Sequence, residues 1–362
     1  MRLERLRVEN VRKIRAADLS PGAGMNVISG NNGSGKTSLL EAVYLLGNGR
    51  SFRTRRAGDL ISRDEDQLRV LGEICPRTGG ATLVGLEKSR TRTRLRVDGE
   101  DVRQTSALAR QVPTVFIGPD CGRLLEESEP RRRFLDWVMF HVEPRYLEVH
   151  QRYSRTLRQR NAALRTGPSA ASLATWDQQL ADPGLELHKI RAPHVAALTT
   201  FASEFLEELL PISVQIGFRP GWDSEHPLDV ALQAHQGTDK RLGYTSIGPH
   251  RADLVLQAGG KSARSTLSRG ESKLFAMGLL LAQGAYFLSK FGEPPLLLVD
   301  DLGAELDPTS RTRFIKAMLP LTAQAFITTV VDQVESLFEA EVRDTAEIRQ
   351  FHVEQGGVRE VV

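Results

Sequence analysis

Gly30-Asn31-Asn32-Gly33-Ser34-Gly35-Lys36-Thr37 is the stretch on which the reading of this chain turns. A short apolar run, Met25-Asn26-Val27-Ile28, comes before it, and a helix is predicted after it from Ser38 through Leu46. Strand, glycine-rich loop and helix in that order form a phosphate-binding loop. The glycines let successive backbone amides turn inward, Lys36 supplies a mobile point charge, and the Thr37 hydroxyl is suited to ligate magnesium. The helix adds its dipole and unpaired amides to the same anion. Nucleotide binding through Gly30–Ser38 is expected, in preference to an ordinary glycine-rich turn.

At 362 residues and 40% hydrophobic content, the chain can bury a substantial core and is long enough for two lobes. Two cysteines, Cys75 and Cys121, make a disulfide framework improbable and fit a reducing compartment. The opening Met1-Arg2-Leu3-Glu4-Arg5 is charged and lacks the apolar centre of a signal peptide. The longest apolar stretch, Leu274 to Leu288, carries Gln283 and two glycines and is short for a bilayer span. A cytoplasmic protein with no membrane partner is expected. Net charge is only +3, so composition does not announce nucleic acid. Arginine supplies 39 of the 48 basic residues, an excess that codon usage in a GC-rich genome explains; their positions say more.

Leu6 and Val8 alternate with Arg5, Arg7 and Glu9, which predicts a half-buried first strand. Beyond the phosphate loop's helix lies a basic loop, Gly49-Arg50-Ser51-Phe52-Arg53-Thr54-Arg55-Arg56. Arg53, Arg55 and Arg56 there either touch DNA phosphates or bound nucleotide, or simply line a solvated turn. From Leu68 to Val115 the pattern is of strands, with Gly79-Gly80 and Asp98-Gly99 as turns. Lys88, Arg90, Arg92, Arg94 and Arg96 fall on every second residue, which predicts one basic face of one strand. Such a ladder is a DNA-backbone footprint or the solvent face of an antiparallel sheet; its single sign of charge fits the first better.

Helical periodicity takes over at Glu129. Phe134, Leu135, Val138 and Met139 form an apolar face before Pro144, and Tyr146, His150, Tyr153 and Leu157 form a seam after it. Leu173, Trp176 and Leu180 follow the Gly167-Pro168-Ser169 break; Leu198, Phe201, Phe205 and Leu209 follow Pro183-Gly184. A short helical arm folded back on itself is predicted.

Two later stretches decide the class. Leu267-Ser268-Arg269-Gly270-Glu271-Ser272-Lys273 opens an apolar helix expected to reach about Leu288, and a hydroxyl with glycine amides at a helix start is a second anion site. Pro295-Leu296-Leu297-Leu298-Val299-Asp300-Asp301 is a buried strand ending in two acids. One carboxylate there holds magnesium and its neighbour orients the attacking water.

Phosphate loop, LSRGES signature and acidic strand in this order resemble an ABC-type ATPase head. Lys36 and Asp300 stand 264 positions apart, more than a compact head needs, so an insertion is expected. The details are similar to the RecF family, in the SMC-like branch: Leu6–Arg12, Gly30–Ser38, Arg50–Thr54, Glu129–Asp136, Gly248–Asp253, Ser268–Lys273 and Val299–Asp307. Glu271-Ser272 stands where that family usually has two glutamines, and Ala252 replaces a usual acid. The resemblance implies an α/β fold: an ABC-type P-loop head of mixed sheet and flanking helices, residues 1–125 and 241–362, split by a helical arm at 126–240. It implies ATP and Mg²⁺ as cofactors, Thr37 and Asp300 on the metal, and Lys36 and Asp301 as the catalytic pair. Asp301 is one methylene shorter than the glutamate common in the wider class, so slow hydrolysis is expected. Across an ATP-bound homodimer, Ser268, Arg269 and Gly270 of one subunit would meet the nucleotide of the other, with Asp307 in an interface loop. Arg12 would contact base or ribose. The implied partners are double-stranded DNA at gap junctions, RecO and RecR, with loading of RecA as the output.

A transporter's nucleotide-binding subunit is the rival from another class. Such heads carry a histidine on the strand after the acids; here that strand reads Ala325-Phe326-Ile327-Thr328-Thr329-Val330.

Overall fold

The computed structural model describes the chain except residues 77–78, 168–169, 322, 331–336, 339–341, 343–346 and 362. It divides into two compact units. The first is Met1–Gly122, Glu208–Leu210 and Arg269–Val362; the second is Arg123–Glu207 with Pro211–Ser268.

Two six-stranded sheets build the first unit. One is antiparallel, in the order β2-β1-β4-β5-β6-β7: β1 Arg2–Val11, β2 Ile14–Leu19, β4 Gln67–Cys75, β5 Thr82–Ser89, β6 Thr93–Val97 and β7 Glu100–Val102. The predicted alternation in β1 holds, with Leu6 and Val8 inward; a register shift between Leu3 and Arg5 lets Leu3 point inward as well. The other sheet runs β15-β14-β3-β13-β12-β8: β3 Met25–Ser29, β8 Thr114–Ile117, β12 Leu296–Val299, β13 Ala325–Thr329, β14 Ile348–Glu354 and β15 Gly357–Val361. Among the described strands only β15 is antiparallel there. Its central strands are buried on both faces, which is why β12 reads as an unbroken apolar run and why β3, buried throughout, shows no inside–outside alternation.

The helix after the phosphate loop, Lys36–Asn48, lies between these sheets. Its Leu39, Leu40, Val43, Leu45 and Leu46 share one core with Leu6 and Val70 of the first sheet and with Ile28 and Phe351 of the second. The signature helix runs Arg269–Phe291, one turn past the expected end. At 23 residues it is long and apolar enough to cross a membrane, contrary to the length argument from sequence. Burial identifies it as a core helix: Leu274 through Leu279 are all buried.

Helices Ser128–Val142, Tyr146–Arg165 and Leu228–Leu242 belong to the second unit, as do residues 170–207 of a helix spanning Ala170–Leu209. A three-stranded sheet joins them, order β11-β10-β9: β9 Val214–Arg219, β10 Asp253–Ala258 and β11 Lys261–Ser262. The inserted unit therefore continues to Ser268, past the expected boundary at residue 240, because β9 pairs with β10 along its whole length. Phe134, Leu135, Val138 and Met139 are the buried face of their helix, as expected.

Two expectations for this unit change. Pro183 and Pro193 lie inside the 40-residue helix and do not end it. Gly184 allows a close approach at that point: an added Cβ would meet Leu228 Cδ2 at 2.5 Å. The Tyr146 seam extends to Arg160, which is fully buried. Arg160 donates to Asp177 at 2.8 Å and to Asp239 and Thr245 at 2.8 Å each, so a buried cation is matched by two buried carboxylates.

Candidate nucleotide site

The loop between β3 and its helix has the backbone a phosphate cradle needs. Gly30, Gly33 and Gly35 adopt φ of 144°, 76° and 124°, where L side chains are strained. At Gly30 the space is closed as well, since a Cβ would lie 2.2 Å from the Val353 carbonyl oxygen. Lys36 Nζ donates to the Gly30 and Asn31 carbonyls at 2.6 and 2.9 Å, so its charge sits over the loop. Ser34 Oγ is buried without a hydrogen-bond partner, while Asn32 and Gly33 are exposed and Ser38 is buried.

Thr37 Oγ1 donates to Asp300 Oδ1 at 3.0 Å, so the hydroxyl and carboxylate expected to share a metal stand side by side. Burial raises the Asp300 pKa, opposed by hydrogen bonds from Thr328 and Thr37. This donor set fits magnesium, a hard cation usually held by one or two protein oxygens together with phosphates and waters. Asp301 follows at φ 57°, in the left-handed region, and its Oδ1 is buried with no partner. A strained residue with an unsatisfied buried carboxylate oxygen marks a site in which something else is meant to bind.

Thr328, which the sequence reading passed over while looking for a histidine, links the two acids. Its Oγ1 donates to Asp300 Oδ1 at 2.6 Å and accepts from the Asp301 backbone N–H at 2.7 Å. Glu41 was also missed, although an acid inside Leu39-Leu40-Glu41-Ala42-Val43 is itself a signal. It is 0% exposed and receives Arg12, through Nε and through Nη2 at 3.1 Å, and Ser51 Oγ. Arg12 also donates to the Asp59 carbonyl at 2.9 Å, and it lines a cleft of about 510 Å³ with Lys13, Arg15, Asn31, Arg63 and His352.

The basic loop after the helix is anchored by Phe52, stacked on Phe116 at 4.0 Å and edge-on to Tyr44 at 5.2 Å. Arg53, Arg55 and Arg56 are all exposed. Asp307 caps the helix Pro308–Met318 by accepting from the Ser310 N–H at 3.0 Å, which holds its carboxyl below the usual range. At the signature, Ser268, Arg269 and Gly270 are exposed at the start of their helix, and a Cβ on Gly270 would meet open space.

The basic ladder is corrected. Lys88 is the last residue but one of β5, Arg90 and Arg92 lie in the hairpin turn closed by Ser89 N–H to the Arg92 carbonyl at 2.8 Å, and of the five only Arg94 and Arg96 belong to β6. Alternating sequence positions crossed a tight turn and so did not share a strand face. Across the sheet, Glu9, Arg69, Glu87, Arg94 and Asp101 form a row of alternating sign. Arg94 and Arg96 both pair with Asp101, at 2.9 and 3.0 Å. Arg90 and Arg92 keep their exposure at the tip.

Phosphate loop, acidic strand and a signature helix separated by an inserted unit define an SMC-like ATPase head. Residues 2–350 match the family of RecF/RecN/SMC N-terminal domains. An SMC head bound to the C-terminal winged-helix domain of ScpA shares the fold, with TM-score 0.61 at 16% identity over 100% of this chain and 98% of that one. The likeness to RecF proteins is closer. The DNA replication and repair protein RecF of Pseudomonas syringae pv. tomato is 39% identical over 362 residues, 99% of this chain and 98% of the relative. That of Shewanella baltica is 38% identical over 363 residues, 99% of each. A solved structure of the recombination mediator RecF with ATP, from the RecFOR pathway, has TM-score 0.86 at 26% identity over 99% of this chain and 97% of that one. The chain belongs to the RecF family. The transporter reading draws no support from these relatives, nor from β13, which has no histidine.

Proposed function

We propose that this chain is a cytoplasmic, ATP-operated DNA-binding protein of recombinational repair, working with RecO and RecR to load RecA at gaps. The observation that carries the reading is the cluster Lys36, Thr37, Asp300 and Asp301 in one head, together with Arg269 and Gly270 exposed at a helix start on the same unit. Gly30–Ser38 hold the phosphates through backbone amides and Lys36, and Arg12 lines the cleft beside them. Thr37 and Asp300 hold Mg²⁺, which neutralises phosphate charge when bound. Asp301 orients water through the carboxylate oxygen left free inside the protein, and Thr328 fixes the two acids relative to each other. Ser268, Arg269 and Gly270 meet the nucleotide of a second copy, with Asp307 beside them, so ATP joins two heads around duplex DNA and hydrolysis releases them.

Light scattering with and without ATP tests this on wild type, Lys36→Met and Asp301→Asn. The mass should double with ATP in wild type, stay doubled in Asp301→Asn and remain single in Lys36→Met. Turnover should lie below about 1 per second, the low end of ordinary enzymes. A mass indifferent to ATP in all three proteins rules out the two-head arrangement.

A further inference from the structure

The segment Gly248–Asp253 is held from inside by almost every group it has. The Pro249 carbonyl accepts from buried Arg191 at 2.7 Å. His250 bonds the Tyr153 hydroxyl through Nδ1 at 2.7 Å and the Thr245 carbonyl through Nε2 at 3.0 Å. Asp253 takes both arms of Arg131, at 2.7 and 2.8 Å. Burial, helped by Arg251 and Arg132, pushes the His250 pKa down to about 4, so the ring stays neutral and its bonds persist at physiological pH. Arg251 is held least: its Nη2 donates to the Thr245 carbonyl at 3.5 Å. It is exposed, and its guanidinium lies 5.1 Å from the ring centroid of Tyr244, a large aromatic side chain 41% exposed.

A rigid turn that spends its buried bonds presenting one arginine and one tyrosine to solvent is a preorganised contact surface. Its neighbours give the surface its sign. Lys240 and Arg241 precede Tyr244 and are exposed, and the exposed Arg165 side chain runs past Gly243. Neither Lys240–Arg251 nor Arg158–Arg165 contains an acidic residue. Exposed Leu242, 44% accessible, adds an apolar face beside the ring. Cations around an open aromatic ring suit a nucleic acid with unpaired bases: the ring stacks a base and the arginines take phosphates. A paired duplex offers phosphates but no free base face.

We propose that Tyr244 and Arg251, on the inserted unit, form a binding site for single-stranded DNA next to a duplex. The inference rests on the DNA-binding reading above and refines it, since it gives the protein a means of telling a gap from continuous duplex.

Fluorescence anisotropy with a non-hydrolysable ATP analogue tests it, comparing a labelled gapped duplex with a continuous duplex of equal length. Tyr244→Ala and Arg251→Ala should each lower affinity for the gapped duplex about tenfold, a stacking-sized effect, and leave the continuous duplex within twofold. Tyr244→Phe should bind as wild type, and the ATP-driven change in mass should be intact in every variant. Variants that bind gapped DNA like wild type overturn the proposal and make the patch a protein-docking face. Equal losses on both DNAs overturn the single-strand assignment. Wild type without affinity for either DNA sinks the repair reading itself, a result distinguishable from the other two.

Discussion

Gly30 shows how narrowly the phosphate loop is specified, because two independent constraints meet at one residue. Its φ of 144° is costly for any side chain, and the Val353 carbonyl occupies the space a Cβ would need. Gly30→Ala should therefore lower stability by at least about 2 kcal/mol, read as a shifted urea midpoint, and abolish ATP binding. Gly33 is the contrast: its Cβ would come no nearer than 3.4 Å to anything, so only the backbone strain remains. Asp301 obeys a similar rule. Its left-handed backbone is one that asparagine tolerates and alanine resists. Asp301→Asn should melt within about 0.5 kcal/mol of wild type and retain ATP while losing turnover. Asp301→Ala should lose stability as well, and equal melting of the two variants would remove strain from the account.

At the scale of elements, the helix Tyr146–Arg165 depends on Arg160, which joins it to Asp177 of the long helix and Asp239 of Leu228–Leu242. Arg160→Ala would strand two buried carboxylates, and unfolding in urea should show a loss of about 3–5 kcal/mol. The turn at His250 adds a pH dependence whose sign follows from its pKa of about 4 against an ordinary 6.5. The unfolded chain binds the proton first, so this contribution is complete above pH 6.5 and is lost as pH falls toward about 4. The loss is about 3 kcal/mol, and NMR titration of the ring should find the same low pKa. Neither feature was legible in the sequence, and the reason is physical. The phosphate loop, the acidic strand and the signature are contiguous, with chemistry set by the local backbone, so residue order alone revealed them. Arg160 looks like one more arginine beside a seam until partners 17 and 79 positions away close around it. The basic ladder failed for the converse reason: period two was real, but the turn at Ser89–Arg92 folded it across two strands. Pro183 misled because packing along one face outweighs its local cost in a long helix.

For the whole molecule, a net charge of +3 makes long-range attraction to DNA weak, so affinity has to come from local clusters. Binding should then be steeply salt-dependent, since each neutralised phosphate releases counterions, and affinity flat across moderate salt would contradict arginine–phosphate contacts. Closure by ATP carries a stricter consequence. If ATP raises DNA affinity by joining two heads, DNA must raise ATP affinity by the same factor, because coupling between two ligands is reciprocal. Typical couplings of about 1–3 kcal/mol correspond to roughly 5- to 150-fold, well within reach of a filter-binding titration. Asp301→Asn is the protein to use, since hydrolysis would otherwise blur the equilibrium. ATP affinity should be measured alone and with saturating gapped duplex, and DNA affinity with and without saturating ATP. Matching factors well above one place the nucleotide and DNA on one conformational equilibrium. Factors of one on both axes would leave two independent binding sites on one chain, and ATP would need a role other than closing the protein on DNA.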